Sequence, residues 1–103
     1  MDREERESCY KNFIKVFGED TQYVFAIEEM SELTKELCKY FRAKGNSEKL
    51  EKVKKDIIEE TADVLICAET LRLMFGGKEV DEMIEYKIKR GQKRCEEKRL
   101  NLK

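Results

Sequence analysis

Four long stretches of helical periodicity, the absence of proline, and a charge content of 44% with a net charge of only -1 predict an all-α chain folded as a four-helix bundle. The charged fraction stands well above the roughly 25% of ordinary globular chains. The signs nearly cancel and the apolar residues recur periodically, a pattern of long helices with solvated faces. With 103 residues the chain is read as one domain, residues 1–103. So short a helical chain buries a thin core. The bundle is therefore expected to be completed by oligomerisation.

The first helix is expected from about Asp2 to Phe17. Asp2 and Glu5 have capping-box spacing, and Tyr10, Phe13, Ile14 and Phe17 form an apolar stripe ended by Gly18. The second is expected after Asp20 or Thr21, both suited to an N-cap. It continues to about Arg42, with Tyr23, Ala26, Met30, Leu33, Leu37 and Tyr40 in steps of three and four. Residues 43–49, with Gly45-Asn46-Ser47, read as a loop. The third helix starts near Ser47 and ends before Gly76-Gly77. Its inner face is Leu50, Val53, Ile57, Val64, Ala68, Leu71 and Phe75. The fourth runs from about Glu79 to Leu100, with Val80, Met83, Ile84 and Ile88 apolar and a basic second half.

Several chemistries are excluded by what is missing. Without a single His there is no Ser-His or Cys-His nucleophile and no His-ligated zinc. Cys9, Cys38, Cys67 and Cys95 are widely separated and form no CxxC pair, so they read as reduced, small apolar residues. Reduced thiols fit a cytoplasmic location. The charged start, Met1 to Glu7, lacks the apolar region of a signal peptide. The run Val64-Leu65-Ile66-Cys67-Ala68 is far too short to span a membrane. A soluble protein with no membrane partner is expected.

Two acidic clusters carry the functional signal: Glu28-Glu29-Met30-Ser31-Glu32 and Glu59-Glu60-Thr61-Ala62-Asp63. On helices, Glu29 shares a face with Glu32, and Glu60 with Asp63. Packed side by side, two such helices would set four carboxylates against one another. Carboxylates so placed call for a cation, and hard divalent ions such as Mg²⁺ take oxygen ligands. The competing reading is a solvated acidic face or a structural salt bridge. It is weaker for Glu60 and Asp63, which interrupt the apolar Ile57-Ile58 and Val64-Leu65-Ile66.

The basic stripe from Lys87 to Arg99 can be solvated, can complement a helix end, or can neutralise phosphates. Lys87 and Arg94 share a face two turns apart. A nucleic-acid surface ranks last, because Glu96 and Glu97 interrupt the stripe and no aromatic residues interleave it. Gly76-Gly77 lacks the GxxxxGK[ST] pattern and reads as a turn. Tyr10, Phe13, Phe17 and Tyr23 can stack a base, though core packing is the commoner role.

Glu28-Glu29-x-x-Glu32, then 27 residues, then Glu60-x-x-Asp63 with Val64-Leu65, resembles the MazG-like all-α nucleoside triphosphate pyrophosphohydrolases. The resemblance covers residues 22–94. It extends to Lys87 and Arg94 of a later Lys-x-x-x-Asn-x-x-Arg pattern, in which Gly91 stands at the Asn position. It implies cleavage of an NTP or dNTP to the monophosphate and pyrophosphate. It further implies Mg²⁺, with Mn²⁺ as a substitute, on Glu29, Glu32, Glu60 and Asp63. Glu28 and Glu29 become the catalytic pair, Glu28 orienting or deprotonating the attacking water. Lys87 and Arg94, helped by Lys89 or Arg90, would hold phosphates in a homodimer or homotetramer.

Two other functions keep a place. A phosphoribosyl-ATP pyrophosphohydrolase resembles the same acidic pattern, but Ala26-Ile27 stand where that enzyme has Lys and Gly. A non-catalytic helical interaction or regulatory module is the other reading, favoured by Gly91.

Overall fold

The computed structural model describes residues 1–101. Helix accounts for 92% of them, in four α-helices with no strand among the described residues. These are α1 (Arg3–Phe17), α2 (Glu19–Arg42), α3 (Ser47–Phe75) and α4 (Gly77–Asn101). The chain divides into two compact units. One is Met1–Leu73, holding α1, α2 and nearly all of α3; the other starts at Met74 and holds α4.

Local chemistry accounts for the helix ends. Asp2 caps α1, its carboxylate accepting from the Glu5 amide at 2.8 Å. Gly18 then ends α1 at φ 90°, a backbone that glycine adopts without strain. The Gly18 amide donates back to the Ile14 carbonyl at 2.8 Å. The same residue also opens α2. The expectation that Asp20 or Thr21 caps α2 is therefore corrected: α2 begins at Glu19, with no side-chain cap bond. A one-residue link leaves no room for a separate cap, and Glu19 and Asp20 serve instead as first-turn anions facing the positive helix end. Helix α3 starts at Ser47, as its sequence suggests, with Asn46 accepting from the Lys49 amide at 3.1 Å, so the loop ends before Ser47 and not at Lys49. Helix α4 starts at Gly77, two residues before the expected Glu79.

In the first unit α2 and α3 run antiparallel. Lys39, Arg42 and Ala43 of the end of α2 line one cleft with Lys49, Lys52 and Val53 of the start of α3. Toward the other end, Gln22 and Phe25 line a cavity with Ile66, Cys67 and Thr70. Helix α1 crosses α3 through polar ties. The Tyr10 hydroxyl donates to Glu69, Arg6 lies 3.6 Å from Glu69, and Arg72 lies 3.4 Å from Glu7.

The buried apolar residues are Tyr10, Ala26, Ala43 and Val53. Three polar residues, Gln22, Glu36 and Thr70, are buried with them. Gln22 is buried because its amide donates to the Phe13 carbonyl at 3.3 Å, and Thr70 because its hydroxyl donates to Ile66 at 2.8 Å. Buried polar groups with partners cost little. Of the expected inner faces, Phe17, Met30, Leu37, Ala68 and Phe75 are exposed instead, Phe75 at 69%. No helix is long and apolar enough to cross a membrane among the described residues.

Candidate metal centre

Glu29 lies near the middle of α2, and Glu60 and Asp63 lie one turn apart on α3. Antiparallel packing brings the three together: one carboxylate oxygen from each falls within 4.8 Å of the others. All three side chains are half-buried. Glu60 Oε2 is fully shielded and meets no donor. Such an oxygen has lost water without gaining a partner, a costly state.

The protons respond to this crowding. Glu29 is pushed up from 4.5 to about 6, first by loss of solvent, then by the charge of Asp63 and by hydrogen bonding with Glu60. Glu60 is also raised, by loss of solvent first and then by Asp63, Glu32 and Glu59. Its hydrogen bond with Glu29 works in the opposite direction.

The other expected residues fall outside this trio. Glu32 is exposed and is not among the three, yet its charge still acts on Glu60. Glu28 is exposed beside Glu29. Lys87, Lys89, Arg90 and Arg94 all lie on α4, in the second unit, and are exposed there. Along that helix Lys89 pairs with Glu85 at 3.1 Å, and Arg90 stands 5.8 Å from the Tyr86 ring centre.

One neighbour was not anticipated from the sequence. The Cys67 thiol is raised by loss of solvent and then by the charges of Glu29 and Asp63, so it borders the cluster. Its position was readable, since Cys67 is i+4 from Asp63 and shares its face. Glu59, next to Glu60 on α3, also contributes charge to it.

Three acidic oxygens gathered in this way are a group that could hold a hard divalent cation. No protein-family model matches the chain, and no curated protein or solved structure matches it either.

Proposed function

We propose that the chain is a Mg²⁺-dependent nucleoside triphosphate pyrophosphohydrolase, releasing the monophosphate and pyrophosphate in the upkeep of nucleotide pools. The observation that carries this reading is the meeting of Glu29, Glu60 and Asp63 within 4.8 Å, with a shielded oxygen of Glu60 that no donor reaches. The acidic spacing that resembles the MazG-like enzymes supports the same conclusion.

Glu29, Glu60 and Asp63 would hold the cation, with Glu32 completing the set. When bound, Mg²⁺ activates water and neutralises charge on phosphoryl oxygens. Glu28, exposed beside Glu29, is the group assigned to orient the attacking water and take its proton. Phosphoryl transfer asks mainly for positioning and charge stabilisation. A chain without His or a reactive nucleophile can therefore supply what it needs. Lys87 and Arg94, with Lys89 or Arg90, are assigned to phosphates on the sequence pattern. A Cβ at Gly91 meets no atom within 4 Å, so α4 has room for the Asn that the pattern carries there.

A homo-oligomer belongs to the same reading. Met83, Ile84 and Ile88 of α4 are each about half exposed or more, as are Val24 and Ile27 of α2. A short helical chain with so small a core gains stability when such residues are covered.

The test is pyrophosphate release from a panel of canonical and damaged NTPs and dNTPs, with Mg²⁺ and with EDTA. Metal-dependent release with monophosphate as co-product is the expected result. Glu60→Gln and Asp63→Asn should each lose at least roughly 100-fold in turnover while keeping their helical circular dichroism. No release by a folded protein from any member of the panel would refute the proposal.

A further inference from the structure

Where the end of α2 faces the start of α3, both within the first unit, lies a cleft of about 430 Å³. Lys39 and Arg42 line it from α2, and Lys49 and Lys52 from α3. Asp56 is the one acid among the described residues of the lining. We propose that this cleft binds a compact polyphosphate, a run of two or three phosphate groups, at a site separate from the acidic centre.

One stripe on each helix builds the cleft. Lys39, Arg42 and Ala43 follow at i, i+3 and i+4 on α2. Lys49, Lys52, Val53 and Asp56 follow at i, i+3, i+4 and i+7 on α3. Ala43 and Val53 are buried and give the cleft an apolar floor. The cations therefore surround a hollow and do not lie along a flat solvated face. A cleft with low-dielectric walls and charge mainly of one sign concentrates the field and draws in a counter-ion.

The ion pairs leave this charge largely uncancelled. Lys39 lies 3.2 Å from Glu36 Oε1, and Lys52 lies 3.4 Å from Asp56. The Lys52 side chain is 81% exposed, and so exposed a pair is worth little. A multiply charged anion in the cleft competes for Lys52 easily. Arg42 and Lys49 have no acid partner among the described residues. Elsewhere on α3 cations do find acids, as Lys54 does with Glu51 at 3.7 Å.

The chemistry of the lining chooses the ligand. Two cations on each helix, one turn or roughly 4.5 Å of axis apart, call for several anionic oxygens in a row. The Arg42 guanidinium offers the forked donors that match phosphate oxygens, and the lysines add point charges. No aromatic ring lines the cleft among the described residues, so a base finds no stacking surface. The phosphates themselves are recognised, whether free or carried as the tail of a nucleotide. Lys39 and Arg42 lie roughly 15–20 Å along α2 from Glu29. Along α3, Asp56 falls between the cleft lysines and Glu60. An anion held here is therefore distinct from one engaged at the carboxylate trio.

Calorimetric titration of the full chain with inorganic triphosphate in EDTA tests the site, because without a divalent ion the trio repels anions. Wild type should bind triphosphate at least about tenfold more tightly than orthophosphate. Arg42→Ala and Lys49→Ala, both at exposed positions, should each weaken triphosphate binding about tenfold with unchanged helical circular dichroism. Lys52→Ala serves if either variant fails to fold. Lys87→Ala and Arg94→Ala, on α4, should change the affinity by no more than about twofold. ATP distinguishes the sources: binding equal to that of triphosphate assigns the cleft to nucleotide tails, and weaker binding assigns it to free polyphosphate. Equal affinity for triphosphate and orthophosphate, or a loss confined to the α4 variants, would overturn the site.

Discussion

Glu29 is the side chain whose proton is displaced furthest within the carboxylate trio. Its carboxyl rises to about 6 from an unfolded value of 4.5. Between those values the folded chain keeps a proton that the unfolded chain has released. Its contribution to stability is therefore complete below pH 4.5 and disappears as pH rises through 6. The melting temperature of metal-free protein is expected to fall between pH 4.5 and 7. Millimolar Mg²⁺ should remove the upper part of that decline, because cation and proton compete for the same oxygens. Mg²⁺ affinity should weaken below pH 6 for the same reason. Thermal melts across pH, with and without Mg²⁺, check both, and a profile that Mg²⁺ leaves unchanged would uncouple this trio from the ion.

At the scale of helices, α1 is held on α3 by a few polar ties. Tyr10 is only 5% exposed, and burial together with its bond to Glu69 pushes its hydroxyl up to about 12. Tyr10→Phe keeps the ring and removes the donor, at an expected cost of about 1–2 kcal/mol. Urea denaturation should show a lower midpoint with an unchanged slope. The raised value also means that the tie is intact below pH 10 and is lost as pH rises through 12. Helix α4 offers the opposite experiment. Gly91 sits inside it with open space around it, so Gly91→Ala should stabilise that helix by about 1 kcal/mol. The helices themselves were legible because apolar steps of three and four run through them. The start of α2 was not, because Gly18 both ends one helix and opens the next. Nor were the burial of Gln22 and Thr70 or the Tyr10–Glu69 tie. Those depend on partners that three-dimensional packing supplies, 59 positions apart in the last case.

For the molecule as a whole, the meeting of α2 and α3 decides how much of the site a sequence can reveal. Helical spacing was enough to align Glu60 with Asp63, and antiparallel packing then selected Glu29 as their partner. Glu32, one turn further along α2, is exposed and stays outside the trio. The cations of α4 belong to a second compact unit, and periodicity along one helix carries no information about them beyond their shared face. The many half-exposed apolar residues give a prediction at this scale. Sedimentation should find a species at an integral multiple of 12.3 kDa. Ile84→Glu should shift it toward the monomer and lower its melting temperature. A wild-type monomer at micromolar concentration would remove the oligomer from the proposal.

Cys67 makes the acidic centre chemically visible from outside. Its thiol is kept protonated by loss of solvent and by two neighbouring negative charges, so it should react sluggishly with alkylating agents. A divalent ion that cancels those charges would lower the thiol's proton affinity and quicken its labelling. Cys38 and Cys95, both exposed, would serve as internal standards whose rates stay constant. Peptide mapping after timed alkylation would then turn one half-buried sulfur into a natural gauge of metal occupancy.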